Sequence, residues 1–264
     1  DGGTFTNTVF KNLTSYQGGA AIRTNISLPI TIDGCQFINN DGMTISGGSI
    51  YYTGGDLSIA NSLFETNKSN ANGGAVYAIN GTVTIDNSTF TGSQAQTGSA
   101  IYQSGGTLTI KDSVTTDDSK PSFISNTGVT SGAIYFAGQS ISVNNAVFNE
   151  NKATNGVGAA ITLNSGGTNR TLNIADSSFT KNSATHSGGA VYTGDVPTVV
   201  ERSFFNEDST STAAGYGGAI HNSSTLEITA SQFKNNTASK SGGAISGNMV
   251  SISDSSILTG NKAQ

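Results

Sequence analysis

Charge, proline, cysteine and long apolar runs are all scarce in this chain. Across 264 residues there are 12 Lys and Arg and 17 Asp and Glu, a net charge of −5. No basic run is present to neutralise phosphates, so nucleic acid is not an expected partner. No apolar stretch approaches the roughly 20 residues of a membrane helix, so no membrane span is expected in this segment. No leader peptide is visible, so any export signal is expected to have been removed or to lie outside this sequence. A single cysteine, Cys35, excludes an internal disulfide framework. Helix is not expected anywhere, because no segment keeps a 3.6-residue apolar period and glycine, 34 residues in all, interrupts every candidate.

What the sequence does contain is one unit written many times. A small-residue box recurs as Gly18-Gly-Ala-Ala-Ile22, Gly47 to Tyr51, Gly73 to Tyr77, Gly98 to Tyr102 and Gly132 to Tyr135. It continues as Gly158 to Thr162, Gly188 to Tyr192, Gly217 to His221 and Gly242 to Ser246. The aliphatic residues of successive boxes lie 25 to 33 residues apart. A second element, an aromatic residue followed three later by Asn, keeps pace: Phe37 with Asn40, Phe64 with Asn67, Phe123 with Asn126, Phe148 with Asn151, Phe179 with Asn182 and Phe233 with Asn236. A period in this range marks a repeat architecture. The polarity of the chain would suit disorder, but the strictly spaced Val, Ile, Leu and Phe argue against it.

Each copy offers three short strand candidates between Gly, Asn, Asp and Ser turns. The fold class expected is therefore all-β, a right-handed single-stranded parallel β-helix with three short strands per coil and about nine to ten coils. It forms one domain over residues 1–264. Alternation points Leu57 and Ile59 inward, with Val83 and Ile85, Leu108 and Ile110, Ile141 and Val143, Leu172 and Ile174, and Leu226 and Ile228. The repeated Phe also points in, and the Asn after it is expected to form a ladder onto neighbouring coils. The small residue three after the inward aliphatic is Ser62, Ser88, Ser113, Ala146, Ser177, Ser203, Ser231 and Ser255, and Cys35 stands in that slot as buried filler. In the last copy Ile257 or Leu258 takes the Phe slot. Two irregularities read as insertions: a loop at about 114–121 and a smaller one at Ser165 to Arg170. The tail, Asn261 to Gln264, followed by the opening Asp1-Gly2-Gly3, mimics Asn236 to Gly243, which suggests end-to-end association or continuation in a longer chain.

Interleaved Gly-Gly-Ala-Ile and Phe-x-x-Asn boxes resemble those of the polymorphic membrane proteins of chlamydiae, from Gly18 to Asn261. Cysteine is scarcer here than in that family. The resemblance implies an autotransporter-passenger-type β-helix, exposed at the cell surface and acting as an adhesin.

Function was weighed on the residues themselves. In each box the residue after the aliphatic one points outward, which places Tyr51, Tyr77, Tyr102, Tyr135 and Tyr192 in one register, with Arg23, Thr162, His221 and Ser246 in the same column. This stripe reads either as a sheet-stabilising ladder or as a ligand-binding surface for a host or neighbouring-cell glycan or protein. The alternative is a polysaccharide lyase or glycoside hydrolase. Its best carboxylate clusters are Asp117 with Asp118, near Lys111 and Lys120, and Asp86 with Asp112. Arg23, Arg170 and Arg202 lie in different coils, and neither His186 nor His221 has an evident catalytic partner. No catalytic residue, metal site or cofactor is assigned, so the chain reads as a binding or structural module of the cell exterior. Ice binding through Thr82, Thr84, Thr107 and Thr109 fails on the irregular residues elsewhere in those columns. Asn-x-Ser/Thr sequons stand at Asn12, Asn25, Asn67, Asn87, Asn169, Asn222 and Asn235.

Overall fold

The structure, a computed structural model, describes residues 2–25, 27–113, 120–163 and 169–264. Residues 114–119 of the larger insertion and 165–168 of the smaller one lie outside the described residues, as does the Asp117–Asp118 pair. The described chain is all strand and turn, and its strands stack in parallel as a β-solenoid of about nine turns.

Three sheets run along the rod, matching the three strand candidates per coil; the coils from Val76 to Thr210 carry four strands, two of which share one sheet. The box strand, such as Val76–Ile79, and the alternating strand, such as Thr82–Asp86, both belong to the largest sheet. The Phe strand, such as Thr89–Thr91, belongs to the second. The additional strand, such as Gln94–Thr97 or Lys152–Ala153, forms the third. Its inward residues are small (Ala95, Ala153, Ala184 and Ala238) and its neighbours polar, so it carries no apolar alternation to read.

Register is residue for residue from coil to coil: Val83 faces Leu57 and Leu108, and Ile85 faces Ile59 and Ile110. Inward columns are therefore like on like. The Phe column runs from Phe10 to Phe233 through Phe90 and Phe205, with centroids 4.5 to 5.1 Å apart. Full burial of each ring contributes roughly 1.5–3 kcal/mol. Leu258 continues the column opposite Phe233.

At the corner after the Phe strand the asparagines form the expected ladder. Asn151 donates through Nδ2 to the Phe123 carbonyl of the previous coil at 2.8 Å, and its Oδ1 accepts the backbone N–H of Asn126. The pattern recurs at Asn40, Asn67, Asn126, Asn182, Asn236 and Asn261. The corner before the Phe strand has a serine ladder, in which the backbone N–H of one coil donates to the Ser Oγ of the next. Cys35 donates to Ser62, and Ser62 to Ser88. Cys35 is buried there, as its slot implied.

The final serine rung is Ser256 rather than Ser255, because Asp254 and Ser255 both take a left-handed conformation and add one residue to the turn. The opening glycines also differ from expectation. Gly3–Thr6 pairs with Ile30–Asp33 in the alternating column, so Gly2-Gly3 does not occupy a box corner. The tail-to-head mimicry of the sequence has no counterpart in the register.

The two box glycines have separate reasons. The first, as in Gly73 and Gly188, has positive φ. The second, as in Gly189, sits where any Cβ would be driven into the carbonyl oxygen of Gly218 in the next coil.

Candidate functional site

Because the box aliphatic is locked inward, the next residue must face out, and the register carries that residue straight up the rod. Arg23 pairs with Tyr51, Tyr51 with Tyr77, Tyr77 with Tyr102 and Tyr102 with Tyr135. The column goes on through Thr162, Tyr192, His221 and Ser246. All five tyrosines are half-buried on the outer face, while their neighbours Ile50, Val76, Ile101, Ile134 and Val191 are buried.

The rings stack face to face. Centroids are 5.1, 5.0 and 4.9 Å apart from Tyr51 through Tyr77 and Tyr102 to Tyr135, with planes within 24° of parallel. The Arg23 guanidinium lies over the free face of Tyr51, 4.3 Å from its centroid. Arg23 also donates to the Gln17 carbonyl. Burial, followed by the neighbouring phenols Tyr102 and Tyr51, pushes the Tyr77 pKa above its ordinary value. Burial does the same at Tyr102 and, with help from Tyr102 and against the pull of Arg170, at Tyr135. These three phenols therefore stay neutral well past physiological pH.

Tyr192 shares the register but not the stack. At the intervening rung Thr162 is buried, its Oγ1 turned back onto the carbonyls of Val157 and Gly158 at 2.9 and 3.0 Å. Tyr192 instead stacks on His221, 5.4 Å away. Tyr216 leans on the other side of His221 at 6.0 Å, with Lys240 over the Tyr216 ring at 4.6 Å. Burial lowers the His221 pKa, so the imidazole stays neutral within this cluster. The expected stripe is thus two units: a four-ring stack capped by Arg23, and a separate aromatic cluster built on Tyr192. The Tyr216–Lys240 contact was not anticipated, since Tyr216 precedes its box rather than closing it.

The hydrolytic candidates among the described residues are otherwise engaged. Asp86 is not opposite Asp112; it pairs with Lys111, 3.5 Å away, and accepts the backbone N–H of Ser113. Asp112 accepts from the Asn145 side chain at 2.9 Å. Arg202 holds Asp176 through two contacts of 2.8 Å, with Glu201 at 2.9 Å, on the surface. Arg170 is buried and donates to the Gly138 and Phe136 carbonyls. Among the described residues no three His, Cys, Asp or Glu side chains cluster as metal ligands. Of the sequons, Asn67 and Asn222 are buried, whereas Asn12, Asn25, Asn169 and Asn235 are exposed.

The residue hardest to foresee is Asp208. It takes the ladder position after Phe205 that Asn holds in the flanking coils, and it is fully buried.

Compared with known proteins, three segments match the repeat of the Chlamydia polymorphic membrane proteins: residues 61–79, 176–194 and 230–248. Each match spans the corner, the inward Phe, the ladder Asn, the box and the outward rung, which is Tyr77, Tyr192 or Ser246. These segments are similar to the repeat of the polymorphic membrane proteins, a family located at the outer-membrane surface. Searches of curated proteins and of solved structures return no match. No helix of the described residues is long and apolar enough to cross a membrane.

Proposed function

We propose that this chain, built of polymorphic-membrane-protein-type repeats, is a projecting rod of a cell-surface adhesin, and that the tyrosine stack is its contact face. The carrying observation is the unbroken outward row Tyr51, Tyr77, Tyr102 and Tyr135. Such rings are stiff, so they lose little entropy on contact, and each combines an apolar body with a polar tip. Repetition along a rigid support lets weak contacts act together.

On this reading the module binds rather than catalyses, and it does so outside the cell. Its partner is a glycan or protein of a host or neighbouring cell. The support is of two kinds: three segments match the repeat of a surface-protein family, and the described acid candidates for hydrolysis, Asp86 and Asp112, are engaged by Lys111 and by Asn145.

The test is attachment of beads coated with this chain to candidate cells. A variant with Tyr51, Tyr77 and Tyr102 replaced by Ser should attach much more weakly while retaining its β circular dichroism and sedimentation behaviour. Undiminished attachment by the folded variant would remove the stack from the contact face.

A further inference from the structure

The geometry of the stack narrows what it can hold. Each inner ring has both faces covered by its neighbours at about 5 Å, and Arg23 covers the outer face of Tyr51. A sugar or cation cannot lie flat on Tyr51, Tyr77 or Tyr102 as it does on an isolated aromatic. What remains open is a row of ring edges and phenol oxygens. Among the described residues, none of the four phenol groups has a hydrogen-bond partner in the chain, and none of the oxygens is sealed from solvent. Each O–H both donates and accepts.

Along its length the row is flanked by uncharged side chains. Two residues beyond the row on the same strands stand Thr53, Ile79 and Ser104, half-buried. The outward column of the adjoining strands reads Ser58, Thr84, Thr109 and Ser142. Cations bracket the row rather than line it: Arg23 caps one end, and Arg170 is buried and turned to backbone carbonyls.

We infer that the Tyr51–Tyr135 row is a binding site for an uncharged, extended polysaccharide lying along the rod axis, held by hydrogen bonds between its hydroxyls and the phenol oxygens. This rests on the stack being the contact face. Three features favour that occupant. A sugar hydroxyl has the same donor-and-acceptor character as a phenol, so each rung meets its complement whichever way the proton points. One sugar ring advances an extended chain by about as much as one coil advances the row, so successive rungs meet successive sugars. A peptide strand advances by about 3.3 Å per residue and falls out of step with the rungs. A sulfated or uronic polysaccharide would leave most of its anions facing neutral hydroxyls, because the arginines stand only at the two ends of the row.

The experiment uses Tyr→Phe replacement at 51, 77, 102 and 135, which keeps the stacked rings and removes only the hydroxyls. Binding is measured for a neutral β-linked glucan hexasaccharide and a neutral mannan, with heparin as the acidic control. The wild-type chain should bind at least one neutral glycan and not heparin. The Phe variant should lose at least tenfold in affinity with its unfolding temperature unchanged. Retained affinity in the Phe variant, binding of heparin alone, or no binding of either neutral glycan overturns the inference. Cell attachment separates this from the broader reading. If the Ser variant fails to attach but the Phe variant succeeds, the stack is the contact face and the hydroxyl mechanism is wrong. If both attach normally, the contact face itself is wrong.

Discussion

Asp208 occupies a slot that asks for an amide. Asn182 donates to its Oδ1 through both its backbone N–H and its Nδ2, at 2.8 and 2.9 Å, and the Asp208 N–H donates in turn to Asn236. That reproduces half of the ladder. The other half is missing, because Oδ2 stands where its neighbours have Nδ2, and it is buried without a partner. By the repeat, the absent donor would reach the Phe179 carbonyl, as Asn236 reaches that of Phe205. Only a protonated carboxyl can donate there.

Burial pushes the Asp208 pKa from 3.8 up to about 8, against the opposing hydrogen bonds from Asn182. Below a pH of about 4 folded and unfolded chains both hold the proton, and the contribution of this group to stability is complete. From there to about 8 the unfolded chain has shed a proton that the folded chain keeps. Stability then falls by about 1.4 kcal/mol per pH unit, reaching roughly 4 kcal/mol at neutral pH.

Asp208→Asn removes the titration and supplies the missing donor. The variant should be more stable by about 1 kcal/mol in mild acid, the value of one hydrogen bond. Its advantage should widen by several kcal/mol towards a pH of about 8. Urea unfolding of both proteins across that range, with denaturant slopes compared, reads the difference directly. If the two stability curves run parallel from acid to neutral pH, the protonated-ladder argument is wrong.

Two further outcomes follow from particular residues. The residue before each ladder Asn, from Asn39 to Gly260, takes positive φ, and Thr66 is the β-branched residue forced into that conformation, at 52°. Thr66→Asn should raise stability by about 1 kcal/mol, seen as a higher urea midpoint at unchanged slope. Alkaline titration followed by ultraviolet absorbance should show Tyr77, Tyr102 and Tyr135 ionising above the ordinary range. Tyr102→Phe should bring the Tyr77 midpoint down, because Tyr102 is among the groups holding it up. These raised values mean that the stability the row supplies is complete below the ordinary phenol pKa of 10.0 and is lost as the pH climbs through the folded values.

The coil was legible because an inward aliphatic and an inward Phe keep a fixed separation, five residues from Ile59 to Phe64 and from Val200 to Phe205. That spacing survives where the Asn partner does not. Phe90 precedes Ser93 and Phe205 precedes Asp208, so the Phe–Asn pairing hides two members of a continuous stack. The outward tyrosine column was legible for the same reason, since the buried box residue fixes the direction of its neighbour. The break at Thr162 was not. Thr, like Tyr, fits an outward slot, and only the folded backbone brings the Val157 and Gly158 carbonyls within reach of its hydroxyl. Nor does the sequence reveal that Arg23 would lie over Tyr51, because that needs a long side chain to follow the rod axis.

The outer face itself separates packing from recognition. In the alternating strands the outward column drifts through Ser58, Thr84, Thr109, Ser142, Asn173, Val199 and Glu227, and the coil tolerates each. The column beside the box is Tyr four times in succession, from Tyr51 to Tyr135, before it changes at Thr162. Stacking accounts for an aromatic ring there, at about 0.5–1.5 kcal/mol per contact. It does not account for the hydroxyl. The inward column obtains the same stacking, at 4.5 to 5.1 Å, with Phe alone. The phenol oxygens of the outer row bond to nothing within the described chain. They are the part of the rung that the solenoid does not use, and their removal is therefore the perturbation that tells a contact face from a structural brace.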